Sequence, residues 1–113
     1  MTNVSNVASF GLATGRWIRV GNVVHVIVDV DVDPTLGAPT RTIYAMSLPI
    51  ASNLGGTTDC IGAGTCDNGG AAAGSIASIQ ISGDGINDRA EGIFQAVVTT
   101  NYTTRNVFSY LVI

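Results

Sequence analysis

The chain has 113 residues, with five basic and eight acidic side chains and a formal net charge of −3, a length that predicts one compact domain. Five arginines, no lysine and an acidic balance cannot build the cationic surface that binds phosphate backbones, so nucleic acid is not an expected partner. No apolar run approaches the roughly 18 residues of a membrane span, and the N-terminus lacks a signal-peptide pattern, so we expect synthesis in a cytoplasm and no membrane partner.

The composition favours strands over helices. Valine and isoleucine number 13 and 11, against five leucines, one glutamate and no lysine. β-Branched side chains suit extended backbone, whereas Leu, Glu and Lys suit helices. No helical period of ten or more residues occurs along the sequence, so we predict an all-β fold.

The N-terminal third begins with an irregular segment and continues as a hairpin. Residues 1–15 alternate poorly, and we predict an arm that docks on a partner or frays, with the domain running from 16 to 113. Residues 16–20 are predicted as a short strand, and Gly21 and Asn22 as the two-residue turn that follows it.

Residues 23–33 alternate with a strict period of two and are predicted as a long strand. One face is entirely valine. The opposite face changes from His25 and Ile27 to the aspartates at 29, 31 and 33, so we expect that face to be covered at its start and solvated at its end.

Five further strands complete the prediction. They are placed at residues 41–48, at about 59–65 within a mostly looped stretch from 51 to 74, and at 75–82, 89–100 and 106–113. The last is apolar on both faces, so it should be central in a sheet or covered by a partner subunit. Seven to eight antiparallel strands at this spacing predict a jelly-roll or another β-sandwich.

No residue pattern indicates catalysis, a cofactor or a metal. His25 is the only histidine and is interpreted as structural, and Glu91 is the only glutamate, so a paired-carboxylate site has no obvious second member. Asp84, Asn87 and Asp88 crowd one loop; a turn without metal is favoured over a calcium site, because the alternating ligands of a calcium-binding hand are absent.

Two cysteines and three aromatic residues leave alternatives open. Cys60 and Cys66 can form a local disulfide, but two free thiols are favoured in a reducing compartment. Trp17, Tyr44 and Tyr102 can stack on sugar rings if they are exposed, although core packing is the commoner use of aromatic side chains.

Four segments then carry a resemblance to a known group of proteins. They are Arg19-Val20-Gly21-Asn22-Val23-Val24-His25-Val26, Ser47-Leu48-Pro49-Ile50-Ala51-Ser52-Asn53, Asn87-Asp88-Arg89-Ala90 and Phe108-Ser109-Tyr110-Leu111. From about residue 16 onward the chain resembles the C-terminal jelly-roll modules of tailed-bacteriophage virion proteins, which include fibre heads and capsid decoration proteins. The resemblance implies a homo-oligomer on a virus surface, with a trimer favoured and a dimer as the other option.

These observations lead to a functional hypothesis without enzymatic activity. We expect a capsid decoration (cement) protein on the virion surface that binds the major capsid protein and stabilises its lattice. The short segment before residue 16, which starts at Met1, favours this role over the tip of a long fibre. The expected capsid or subunit contacts are Asn3, Val4, Val7, Phe10, Phe108 and Tyr110. Removing residues 1–15 is expected to abolish capsid binding without unfolding the domain.

The alternative hypothesis is the receptor-binding head of a tail fibre or spike, which would bind host glycans. Its expected contacts lie in two loops and comprise Asp84, Asn87, Asp88, Asn101 and Tyr102. A depolymerase fragment is a third and weaker hypothesis.

Overall fold

The computed structural model describes residues 1–70 and 76–112. Within them the chain forms eight antiparallel strands and a single 3₁₀ turn at Thr57–Asp59. The strands are β1 (Thr2–Ser5), β2 (Val7–Val20), β3 (Val23–Pro34), β4 (Thr40–Ser47), β5 (Cys60–Asp67), β6 (Ile76–Asp84), β7 (Arg89–Ala96) and β8 (Tyr102–Leu111). The predicted all-β class is confirmed. No helix in the described ranges is long and apolar enough to cross a membrane.

All eight strands lie in one curled sheet, in the order β1-β4-β7-β6-β5-β8-β3-β2. Three pairs are nested, since β3 pairs with β8, β4 with β7, and β5 with β6. Strand β8 lies between β3 and β5, as its two apolar faces predict. The narrower expectation of a jelly-roll stays a prediction, because these strands form one hydrogen-bonded sheet and not two separate ones.

Asn6 forms the corner at which the two ends of this sheet meet. Its φ of 57° turns the chain from β1 into β2, a conformation that asparagine tolerates better than most residues. The Asn6 amide donates to Leu36 O (2.8 Å) and Thr42 Oγ1 (2.9 Å), and its Oδ1 accepts the Leu36 N–H (2.7 Å). The side chain therefore fixes β1 and β2 to the connection between β3 and β4.

The segment expected to be an arm is part of the sheet. Residues 2–5 pair with β4, and residues 7–15 belong to the same continuous strand as 16–20. The weak alternation that suggested an arm has a physical cause, because residues 11–20 are exposed on both faces of the strand. A strand without a buried face is under no pressure to alternate.

The predicted hairpin between β2 and β3 is confirmed. Val20 pairs with Val23 across the turn, and Gly21 has a φ of 60°, which glycine adopts without strain. The valine face of β3 is buried as expected, but the prediction for its other face is reversed. His25 and Ile27 are exposed, whereas the three aspartates are half-buried beside the first half of β2.

The core also contains a polar network. Tyr44, Asn106 and Thr104 are fully buried, and the Tyr44 hydroxyl donates to Asn106 Oδ1. Among the described residues, no buried side-chain nitrogen or oxygen lacks a hydrogen-bond partner. The rest of the core is aliphatic and aromatic, with Val24, Val26, Val30, Val32, Met46, Ile79, Tyr102 and Phe108 among its most buried members.

Candidate assembly surfaces

Residues 11–20 of β2 form a free edge of the sheet. Strand β2 is the last strand of the sheet and pairs along its length only with β3. The exposed fraction is 76% for Leu12, 49% for Trp17, 62% for Ile18 and 62% for Val20. Long apolar edges without proline or lysine are templates for strand addition from another chain.

Strands β2, β3, β8 and β5 present a second surface, which we call the outer sheet face. The strand registers arrange its side chains in rows across the sheet. Row one contains Val20, Val23 and Leu111; row two contains Ile18, His25, Ser109 and Ile61; row three contains Arg16, Ile27, Val107 and Ala63; row four contains Thr14, Asp29, Arg105 and Thr65; row five contains Asp31, Thr103 and Asp67.

The first three rows are largely apolar and exposed. The exposed fractions are 75% for Ile61, 54% for Ile27, 53% for Val107 and 53% for Leu111. Together with Ile18 they occupy neighbouring positions in these rows, and contiguous apolar patches mark interaction sites more often than isolated apolar side chains do.

The lower rows of the outer sheet face are charged. Asp29 lies directly opposite Arg105 on the neighbouring strand, and Asp31 and Asp67 flank Thr103 in the next row. The ionic part of the face is therefore separated from its apolar part along the strand direction.

His25 and Ser109 form the arrangement closest to catalytic chemistry. His25 Nδ1 lies 2.8 Å from Ser109 Oγ, within hydrogen-bond distance. The described contacts of His25 include no carboxylate to orient the ring. Ser109 lies in mid-strand between β3 and β5, where backbone amides are used by the sheet and cannot form an oxyanion hole. The pair lacks two of the components that acyl transfer requires.

The expected contact residues separate into surface and core. Asn3 and Val4 are exposed on β1, and Phe10 is half-buried. Val7, Phe108 and Tyr110 are only 4%, 1% and 2% exposed, so these three were wrongly placed on a contact surface. Their side chains point to the core because each alternates with an exposed neighbour along its strand.

The two expected glycan-binding loops lie at opposite ends of the sheet. Asp67 pairs with Thr103, so Asn101 belongs to the end where β5 finishes, whereas Asp84 pairs with Arg89 at the far end of β6. Tyr102 is not in a loop at all. It is 0% exposed, and its hydroxyl accepts the Val97 N–H at 3.0 Å.

The Asp84 carboxylate is occupied by its own turn. It accepts hydrogen bonds from the Asn87 amide (2.8 Å), from the backbone N–H groups of Ile86 and Asn87, and from Arg89 Nε (2.8 Å). These donors, the Asn87 amide foremost, lower the pKa of Asp84. Asp88 accepts the Leu54 N–H at 2.8 Å. In the part of the chain that is described, no three His, Cys, Asp or Glu side chains form a metal-binding group.

A cavity of about 670 Å³ with a mixed polar and apolar lining lies at the other end of the sheet. The side chains that define its character are Asp67, Asn68, Asn101, Thr103 and Arg105. Acidic, amide, hydroxyl and guanidinium groups in one concave site can hydrogen-bond a polyhydroxylated ligand. The sequence pointed to Asn101 but not to Asp67 or Asn68, because only the fold brings the β5 and β8 ends together.

The two cysteines are free and buried. Both lie on the inner face of β5, six residues apart, which corresponds to about 20 Å along a strand. A disulfide requires Cα atoms within about 7 Å, so the free-thiol alternative is the one that the fold adopts. Of the aromatic residues considered for sugar stacking, Tyr44 is buried, and only Trp17 is substantially exposed.

Comparisons with protein-family models, with curated proteins and with solved structures gave no match for this chain.

Proposed function

We propose that this chain is a non-enzymatic capsid decoration protein that binds the major capsid protein on a virion surface. The observation that carries the proposal is the free edge of β2. Over residues 11–20 this strand has a hydrogen-bonded neighbour on one side only. A strand from a capsid subunit would satisfy the outward N–H and C=O groups and cover the exposed apolar side chains.

Binding at this edge suits a permanent interface. The described residues of the edge carry only two long charged side chains, Arg16 and Arg19, so little side-chain entropy is lost on docking. Surface that is buried only in the assembled head stabilises that state by mass action.

The test uses purified heads that lack the protein, to which the full chain is added back. In a two-residue hairpin the residues that flank the turn are hydrogen-bonded to each other, so Trp17 directs its N–H away from β3. Trp17→Pro therefore removes a donor from the free edge and keeps the pairing with β3. Trp17→Thr is the matched control, since it removes the ring and keeps the donor.

We expect the wild-type chain to bind heads and Trp17→Pro to weaken binding by at least about tenfold. Trp17→Thr should weaken binding less, because losing one hydrogen bond and blocking strand addition should cost more binding free energy than losing a half-exposed ring. Wild-type protein that does not bind heads, or a proline variant that binds normally, would overturn the proposal.

The cavity between the ends of β5 and β8 supports a second candidate, the receptor-binding head of a fibre or spike. Under that reading a host glycan would contact Asp67, Asn101 and Arg105, and not the Asp84 turn, whose donors and acceptors already bond to each other. Quantitative mass spectrometry of virions separates the candidates. A copy number comparable with that of the major capsid protein supports decoration, and a far lower number supports a fibre or spike.

A further inference from the structure

We propose that the outer sheet face binds a second copy of this chain, in a two-fold dimer whose axis runs parallel to β3 and β8 and passes between them. The dimer covers side chains of the face and leaves the outward backbone groups of the β2 edge free, although Ile18 and Val20 belong to both surfaces, and it does not depend on a capsid role. The face itself supplies the argument, because the charges of its fourth row and the aliphatic side chains of its second and third rows match themselves under a two-fold rotation.

Rotation about such an axis keeps every row and reverses the order of the strands. Strand β3 of one copy then lies over β8 of the second copy, and β2 lies over β5. Two sheets packed with their strands nearly parallel are the usual arrangement of a β-sandwich, with about 10 Å between the sheets.

The charged row matches itself under this rotation. Asp29 comes to lie over Arg105 of the second copy, and Arg105 over the Asp29 of that copy. Because Asp29 is also beside Arg105 within each chain, the four charges alternate in sign around a square. Each neighbouring pair is attractive, which is the electrostatic complementarity expected of a specific interface.

The apolar rows also match. In row two, Ile18 lies over Ile61 of the second copy, and the polar pair of His25 and Ser109 lies over its own counterpart. In row three, Ile27 lies over Val107. The exposed aliphatic side chains at 18, 27, 61 and 107 of one copy thus cover aliphatic side chains of the other, and the only polar side chain of these two rows that faces an apolar residue is Arg16, which lies over Ala63.

The size of the face is sufficient for a dimer. Four strands span about 19 Å and the nine residues from row one to row five span about 30 Å. Including side-chain relief, this approaches the roughly 800 Å² of accessible surface that each partner contributes to a standard interface.

An axis perpendicular to the strands does not give the same match. It would place row one over row five and row two over row four on the same strand, so that Val23 would cover Asp31 of the second copy and Arg105 would lie over Ser109 instead of a carboxylate. Burying carboxylates against aliphatic side chains without a partner is costly, so the parallel axis is the one that the pattern of the face supports.

Sedimentation equilibrium of the full chain tests the dimer with a charge exchange. Asp29→Arg places like charges across the axis, and so does Arg105→Asp; each substitution acts twice because of the symmetry. We expect each single variant to raise the dimer dissociation constant by at least about tenfold and the double variant to return within about threefold of wild type. Arg41→Asp, on the exposed surface of β4 outside the face, is the matched control and should leave the constant unchanged.

Ile61→Asp gives an independent variant if either charge variant fails to fold. Ile61 is 75% exposed, so the substitution removes no core contact, yet it puts a carboxylate over Ile18 and should abolish the dimer. A wild-type chain that stays monomeric at its highest soluble concentration would refute the proposal. So would a dimer that tolerates these three variants and is lost with Trp17→Pro, since its contact would then be the β2 edge.

Discussion

The hydroxyl of Tyr44 donates a hydrogen bond to the side-chain oxygen of Asn106, 62 residues further along the chain. The Asn106 amide in turn donates to Val28 O (3.1 Å) and to Thr104 Oγ1 (3.0 Å), and Thr104 donates to Val30 O (2.9 Å). Strands β3, β4 and β8 are thus joined by side-chain bonds inside the core. Each polar group has a partner, and this specifies how the strands meet.

Removing one member of this hydrogen-bond network should lower the stability of the fold. Asn106→Leu leaves the Tyr44 hydroxyl and the Val28 carbonyl without their side-chain partner, and each buried polar group left unsatisfied costs about 1–3 kcal/mol. We expect the free energy of unfolding, measured by chemical denaturation, to fall by about 2–4 kcal/mol. Adding Tyr44→Phe to this variant should recover part of the lost stability, because the hydroxyl without a partner is then removed. If the stability losses of the two single variants simply add in the double variant, the proposed network is contradicted.

Gly92 makes room for the ring of Tyr44. The two residues pair across β4 and β7, and a Cβ on Gly92 would collide with the ring carbon Cζ and lie 2.5 Å from the hydroxyl oxygen. Gly92→Ala should therefore destabilise the fold by about 1–3 kcal/mol, the usual cost of overpacking. Gly56→Ala is the control, since a Cβ there meets nothing within 4 Å and the φ of 178° suits any residue. Equal denaturation midpoints for the two variants would show that the ring moves away freely.

The buried thiols predict a loss of stability at alkaline pH. Burial raises the pKa of Cys60 and of Cys66 from about 9 to about 11. Between these values the folded chain keeps protons that the unfolded chain has released, so stability is complete below about pH 9 and falls as the pH rises through about 11.

Denaturation midpoints recorded from pH 7 to pH 11 would measure this decline. The double variant Cys60→Ala, Cys66→Ala should show a shallower decline. Part of the decline of the midpoint with pH should remain in this variant, because burial also raises the pKa of Tyr44 and Tyr110. Identical slopes in the two proteins would mean that the thiols do not contribute.

The local sequence pattern was sufficient to predict a strand where one face of that strand is buried and the other is exposed to solvent. The valine face of β3 and the turn at Gly21 were predicted because each depends on near neighbours alone. Tyr102 was misplaced because the threonines that follow it are typical of a loop. Thr104 is nevertheless buried, and its hydroxyl is satisfied by Val30 O, a contact 74 residues away.

The candidate surfaces depend even more on distant pairing. That Asp29 lies beside Arg105, and His25 beside Ser109, follows from the register of β3 against β8. No short-range signal sets that register, since the strands are separated by most of the chain. The sequence therefore predicts that β8 is apolar on both faces but does not predict which residues meet there.

The N-terminal residues provide a last test, because the fold reverses the effect expected of their removal. Deleting residues 1–15 takes away β1, which pairs with β4, and Val7, which is 4% exposed in the core. It also removes Asn6, the partner of the Leu36 N–H and of the buried Thr42 hydroxyl. We expect the truncated chain to lose cooperative folding by near-UV circular dichroism and thermal denaturation. Leu12→Thr, in the same segment but 76% exposed, should unfold within about 0.5 kcal/mol of wild type. A truncated chain with a wild-type transition would show that β1 and the first half of β2 are dispensable to the fold, and the N-terminal segment would then act as an arm.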